Sequence, residues 1–177
     1  MADLTVLQVV DNAIKIGLGG IVAVWGTVSV AKLKHKHDAK SEQVKRRNEV
    51  IESVALNLVE VTHAWLVYWA YLIESSRHMA NESSMSSERQ LKFDVSKAEL
   101  FEVFKELTVA ESKLALFGYQ QTAELVRTYG ESLKEFRRGY YQDKEGMTEK
   151  DLIDKRKELL ALRDSVMKAL AVNIRSS

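Results

Sequence analysis

The stretch AIKIGLGGIVAVWGTVSVA, Ala13 to Ala31, divides the chain into an apolar N-terminal part and a long charged remainder. A bilayer core of about 30 Å needs roughly 20 helical residues, and this run carries one charge, Lys15, near its start. Membrane helices tolerate the glycines of this run, because glycine lets two backbones approach closely. We therefore predict a single transmembrane helix over residues 13–31.

Small residues recur every four positions along this run and would form a narrow stripe on one side of a helix. Such stripes allow two membrane helices to pack closely, so the run also predicts self-association within the membrane. The candidate helix-packing residues are Gly19, Ala23, Thr27 and Ala31.

The charges on the two sides of the run differ in sign. Asp3 and Asp11 precede it, whereas lysines and arginines follow it closely. The positive-inside rule then predicts a short extracytoplasmic N-terminus over 1–12 and a cytoplasmic C-terminal part, anchored once in the inner (plasma) membrane. Residues 32–43 form a basic juxtamembrane segment, and the lysines expected to contact anionic lipid headgroups are Lys32, Lys34, Lys36 and Lys40.

A cleaved signal peptide is the competing interpretation of the same stretch. Ser29 and Ala31 give the small-x-small ending that a signal peptidase accepts. Signal peptides also begin with a basic segment, and the residues before this run carry two acids and no lysine or arginine. The sequence favours an anchor and leaves cleavage open.

The composition of the 177 residues predicts an all-α protein with one helical domain over 44–177. The chain has no proline, and glycine is sparse outside the apolar run, so the usual turn signals of hairpins and sandwiches are absent. It has no cysteine, which excludes disulfides and thiolate chemistry. Its 26 basic and 25 acidic residues nearly cancel, and we expect no nucleic-acid partner.

The longest predicted element of that domain is a central helix over 44–78. Apolar residues repeat every seven positions along it, which is typical of a buried coiled-coil seam: Val44, Ile51, Leu58, Trp65 and Leu72.

An aromatic belt lies in the second half of this helix, formed by Trp65, Tyr68, Trp69 and Tyr71. These side chains form either the core of the domain or a surface for a partner. A second membrane span over 54–73 is disfavoured, because it would place Asn57, Glu60 and His63 in lipid.

The remaining helices are predicted to turn back along the central one in an antiparallel bundle. A serine-rich connector over 79–95 precedes a capping box of Ser96 and Glu99, which opens a helix over 97–117 that ends before Gly118. The apolar positions of that helix are Leu100, Phe101, Phe104, Leu107, Leu114 and Phe117. Two more amphipathic helices are predicted over 120–139 and 149–174, the last capped by Thr148 and Asp151.

Two histidine patterns resemble metal-ligand spacings, and neither predicts a metal site. His35 and His37 are two residues apart and point to different sides of a helix. Glu60 and His63 have the spacing used twice in di-iron bundles, but this pattern occurs once here. No nucleophile or nucleotide motif is present either, and we expect no catalytic, cofactor or metal site.

The sequence therefore predicts a membrane-anchored interaction or scaffold protein that forms homo-oligomers or recruits a protein partner at the cytoplasmic face. The alternative is an effector of the phage-lysis or defence type, whose small-residue membrane helix assembles into a pore. An enzyme of unrecognised type is a third and weaker hypothesis.

Overall fold

A computed structural model of the chain describes residues 38–142 and 148–175, with side chains from residue 42 to 139 and from 148 to 175. Most of the predicted membrane-facing residues lie outside the described residues: Gly19, Ala23, Thr27, Ala31, Lys32, Lys34 and Lys36. Lys40 falls in the first described helix, ahead of its described side chains.

The described part of the chain contains four α-helices and no strand. They are α1 Asp38–Ala80, α2 Ser87–Leu116, α3 Gln120–Gln142 and α4 Glu149–Arg175. The prediction of an all-helical protein with one long helix is confirmed, since α1 has 43 residues. Helix α1 is described from Asp38, so it includes residues 38–43 of the predicted juxtamembrane segment.

The boundary between α1 and α2 differs most from the sequence prediction. The predicted connector over 79–95 is wrong, because α2 begins at Ser87 and its N-cap is Ser86, whose hydroxyl accepts a hydrogen bond from the amide of Arg89. Ser96 is not a cap: it is buried within α2, and its hydroxyl donates to the carbonyl of Phe93 at 2.7 Å. A serine can satisfy its hydroxyl on the preceding turn, so a serine cluster does not by itself end a helix.

The seven-residue repeat of α1 forms the centre of the core. Its members from the second heptad onward are at most 1% exposed, as are the neighbouring apolar residues on the same side: Ile51, Val54, Leu58, Val61, Trp65, Tyr68 and Leu72. Helix α1 packs mainly against α2 and α4, and α3 packs against the same two helices. All four helices therefore contribute to one core.

Helix α1 is also the one element of the described chain that is long and apolar enough to cross a membrane, over Glu42–Ala80. Core helices of water-soluble proteins meet the same criterion of length and composition. Here the most apolar row of the helix faces the other three helices. Of the most apolar stretch of the helix, 44% is buried inside the domain, and this buried part is the row that contacts the other helices.

Side-chain hydrogen bonds and ion pairs join neighbouring helices. Asn57 of α1 donates to the carbonyl of Glu106 of α2 at 3.3 Å. The hydroxyls of Thr62 and Tyr129 lie 3.0 Å apart between α1 and α3. Further links join α2 to α3 through Glu111 and Arg127, and α3 to α4 through Thr122 and Asn173. Such directional bonds fix the register of helices that apolar packing alone would leave free to slide.

Helices α1 and α2 end in the same capping geometry. The amide of Ser83 donates to the carbonyl of His78 at 2.9 Å, and the amide of Tyr119 donates to that of Leu114 at 2.9 Å. In each case the residue just before the donor has a positive φ, 49° at Glu82 and 85° at Gly118. Both ends are therefore Schellman motifs, and glycine suits that position while glutamate is strained there.

We predict that Glu82→Gly stabilises the fold by about 1 kcal/mol and that Gly118→Ala destabilises it by a similar amount, because only glycine adopts a positive φ without steric strain. No atom lies within 4 Å of a Cβ built on Gly118, so its effect would be conformational alone. Urea unfolding followed by circular dichroism measures both variants. Equal stabilities for all three chains would contradict this explanation.

The predicted capping box at the start of α4 is confirmed. The amide of Thr148 donates to the carboxylate of Asp151 at 2.9 Å, and the amide of Asp151 donates back to the Thr148 hydroxyl at 3.3 Å. Hydrogen bonding by Thr148 lowers the pKa of Asp151 below its usual value. This reciprocal pairing explains why α4 begins at Glu149, the predicted residue.

Tyr129 lies fully buried where α3 faces α1. Burial raises the pKa of its phenol to about 12, because the charged phenolate would lose its hydration. The unfolded chain would ionise this tyrosine near pH 10, before the folded chain does. The stability due to the neutral phenol is therefore complete below pH 10 and is lost as the pH rises towards 12.

Tyr129→Phe should remove this pH dependence. Between pH 10 and 12 we expect the parent chain to lose about 2 to 3 kcal/mol more unfolding free energy than the variant. Denaturant unfolding at a series of pH values measures the difference. Identical pH profiles would show that the phenol of Tyr129 ionises in the folded chain as it does in water.

Candidate interaction surfaces

The aromatic belt of α1 lies inside the domain. Trp65 and Tyr68 are at most 1% exposed, Trp69 is 7% exposed, and Tyr71 is partly buried against the core. Of the two interpretations of this belt, the structure supports the core for Trp65, Tyr68 and Trp69, and Tyr71 lies partly exposed at its edge.

Ring contacts connect the belt to α2 and α3. Trp65 packs edge-on against Phe136 of α3, with ring centroids 6.1 Å apart. On the other side, Phe93 of α2 stacks on Tyr68 at 5.7 Å and contacts Tyr71 at 6.1 Å. These offset and edge-to-face arrangements are the favoured geometries for aromatic pairs, so the belt positions both neighbouring helices.

Trp69 connects the belt to α4. Its indole N–H donates to the carbonyl of Leu152 at 2.9 Å. The guanidinium of Arg156 lies 4.9 Å from the centre of the Trp69 ring, a cation–π contact, and partial burial lowers the pKa of that arginine. Both polar contacts hold the first two turns of α4 against α1.

We expect Trp65→Ala and Trp69→Ala each to lower the unfolding free energy by on the order of 3 to 5 kcal/mol, because each leaves a cavity in the core. Leu56→Ala is the matched control on the same helix, since Leu56 is 56% exposed and its loss should change stability by less than about 0.5 kcal/mol. Chemical unfolding measures all three. Tryptophan variants as stable as the control would place the belt on the surface.

A cleft of about 270 Å³ lies where the end of α1 meets the start of α4. Arg77 and Glu149 face each other across it in a two-point ion pair, with N–O distances of 3.1 and 2.6 Å. Hydrogen bonding by Arg77 lowers the pKa of Glu149. Because the two charges are opposite, the Arg77–Glu149 pair contributes no net charge to the cleft.

The same cleft contains a serine and a histidine in hydrogen-bonding contact. Nδ1 of His78 lies 2.8 Å from the hydroxyl of Ser83, which also lies 3.3 Å from the backbone carbonyl of His78. Both residues belong to the Schellman motif that ends α1. The pair therefore has a structural explanation in the helix cap, and nothing in its geometry indicates an activated nucleophile.

The rejected metal pattern on α1 also has an ordinary explanation. Glu60 and His63 are both exposed on the solvent side of the helix. Within the ranges that the structure describes, no three His, Cys, Asp or Glu side chains are grouped to hold a metal ion. His35 and His37 lie outside those ranges.

Helix α2 carries apolar residues on its outer side as well as its inner side. The inner side is buried, with Phe93, Leu100, Leu107 and Leu114 in the core. The outer side exposes large apolar residues near both ends of the helix, with exposed Glu102 and Lys105 between the two groups: Leu91 at 65%, Val95 at 49%, Val109 at 40% and Leu116 at 84%. Single exposed apolar residues are ordinary, but two groups of them on one side of a helix indicate a candidate contact surface.

Phe101 of α2 is a further correction to the sequence prediction. It was expected on the buried side, and it is 60% exposed. The guanidinium of Arg137 from α3 lies 5.2 Å from the centre of its ring. Adjacent side chains of a helix point in different directions, so the burial of Leu100 directs Phe101 outward.

No protein-family model matches the chain, and no curated protein or solved structure is significantly similar to it. Its function is therefore inferred from packing, exposure and charge.

Proposed function

We propose that the protein is a membrane-anchored interaction protein that self-associates or recruits a partner at the cytoplasmic face of the inner membrane. The observation that carries this proposal is the row of exposed apolar residues on the outer side of α2. The aromatic belt is already used in packing, and among the described helices α2 exposes the most large apolar side chains, which supports this surface as the one for a partner.

In this proposal residues 13–31 are the anchor, with the helical domain on the cytoplasmic side. The support comes from the sequence: one apolar run of membrane length, acids before it and lysines and arginines after it. Lys32, Lys34, Lys36 and Lys40 would contact anionic headgroups. Gly19, Ala23, Thr27 and Ala31 would allow anchors to pack together within the bilayer.

The proposed domain is an antiparallel bundle on this anchor. Only six residues separate α1 from α2, and three separate α2 from α3. Connectors this short favour antiparallel neighbours, because a parallel neighbour would require the chain to return along the full length of a helix.

A pore-forming effector is the second candidate function. The feature that favours it is the small-residue stripe of the predicted anchor, which would let several anchors assemble within the membrane. A pore would depolarise cells that overproduce the protein, whereas an interaction protein would leave the membrane potential unchanged.

Membrane attachment is tested by alkaline carbonate extraction of the full chain, with protease treatment of spheroplasts carrying a C-terminal tag. We expect the protein in the pellet and the tag protected. Val22→Asp with Val24→Asp is the control, because two charges in the run should prevent insertion and release the protein into the supernatant. Extraction of the parent chain, or digestion of its tag, would overturn the proposed anchor or its orientation.

A further inference from the structure

The outer side of α2 carries a regular pattern from Leu91 to Leu116. Eight positions follow one another at alternating spacings of four and three residues, and every one of them is exposed: Leu91, Val95, Ala98, Glu102, Lys105, Val109, Ser112 and Leu116. Alternation of four and three is the spacing of a coiled-coil seam, which keeps one side of a helix against a partner helix. We call these eight residues the outer seam.

The outer seam is symmetrical about its middle. Positions at equal distances from a point between residues 103 and 104 match each other in kind: Leu91 matches Leu116, Ala98 matches Val109, and Glu102 matches Lys105. Val95 and Ser112 also stand at equal distances from this point but differ in kind, since one is apolar and the other polar. A surface of this kind is complementary to itself after a two-fold rotation, which is the requirement for an interface between two identical chains.

We propose that a second copy of this chain packs antiparallel on the outer seam, with the two-fold axis between residues 103 and 104. Leu91 of one chain then packs against Leu116 of the other, and Ala98 packs against Val109. The small alanine lets the two backbones approach closely at that layer. This inference names a partner and a surface for the self-association proposed above, and it rests on that proposal.

The two charged residues at the centre of the seam determine the direction of pairing. Glu102 and Lys105 are about 70% exposed, and within one chain their charged atoms are 3.8 Å apart. In the antiparallel dimer each glutamate faces the lysine of the other chain, which gives two pairs of opposite charge. A parallel dimer in register would place glutamate against glutamate and lysine against lysine, so repulsion excludes it.

The size of the seam indicates a reversible dimer. Its ends, Leu91 and Leu116, are 25 residues apart, which corresponds to about 37 Å of helix. A strip of that length and about 10 Å width is smaller than the roughly 800 Å² per partner that a stable complex buries. Dimerisation through the outer seam should therefore depend on protein concentration, and confinement of two anchored chains to one membrane would promote it.

Disulfide trapping tests the proposed pairing, because the natural chain contains no cysteine. In membranes from cells that produce the full chain, oxidation of the variant Ala98→Cys with Val109→Cys should give a covalent dimer. The two cysteines of one chain are about 16 Å apart along the helix and cannot pair with each other. Ala98→Cys alone is the control and should remain monomeric, since position 98 faces position 109 of the other chain.

Charge reversal tests the same interface through its centre. In the double-cysteine background, Lys105→Glu should lower the disulfide yield at least tenfold, because each Glu102 would then face a glutamate. Adding Glu102→Lys restores opposite charges across the axis and should restore the yield. These side chains are exposed, so circular dichroism should show the same helicity for all variants.

Three outcomes would overturn the outer-seam dimer: no disulfide in the double-cysteine variant, equal disulfide yields with Ala98→Cys alone, or no response to charge reversal. Sedimentation of the parent chain in detergent distinguishes a failure of the outer-seam dimer from a failure of the proposed self-association. Oligomers without disulfide trapping would refute this surface and leave self-association intact. A monomer at every concentration, without trapping in membranes, would remove self-association as well.

Discussion

The burial of one apolar row of α1 against the other three helices is the interaction on which the rest of the structure depends. A single helix of this length and composition would lie in a membrane or aggregate, because its second half has too little polar surface to face water. The row from Ile51 to Leu72 is excluded from solvent by α2, α3 and α4. At roughly 25 cal/mol for each Å² of apolar surface buried, large aromatic and aliphatic side chains dominate the driving force for folding.

That arrangement also determines which surface remains for a partner. The aromatic belt of Trp65, Tyr68, Trp69 and Tyr71 is used in contacts with the other helices, and Trp69 is hydrogen-bonded to α4. The cleft between α1 and α4 is bridged by an ion pair. Helix α2 differs from these elements, because one of its sides belongs to the core while the other exposes large apolar residues. An interaction protein needs such a two-sided element.

Much of the fold could be predicted from the sequence, because its strongest signals are local. The seven-residue repeat of α1, the stop at Gly118 and the capping box at Thr148 each depend on residues within one or two turns. Ser86 and Ser96 show where local sequence signals are insufficient. Both serines precede apolar residues and could cap a helix, and only the packing of the helix against the core distinguishes the true N-cap from the buried serine. The exposure of Phe101 and the burial of Trp69 depend on neighbouring helices in the same way.

The candidate surface was harder to predict than the fold. The sequence shows aromatic residues on several sides of α1 but does not show which of them other helices cover, so it favours a core and leaves an interface open. The outer seam of α2 has the spacing of a buried seam, and only the structure shows that this side is exposed. A helix with apolar repeats on two opposite sides is the signal that would have revealed it.

Helix α1 forms the core of the domain, and the proposed anchor lies before it in the chain. Fluorescence of the chain in vesicles of acyl-brominated phosphatidylcholine tests this most directly, because bromine quenches tryptophan on contact. With Trp25→Phe, the remaining Trp65 and Trp69 should stay unquenched; with Trp65→Phe and Trp69→Phe together, Trp25 should be quenched. Quenching of Trp65 and Trp69 would show that α1 faces lipid and would contradict the account.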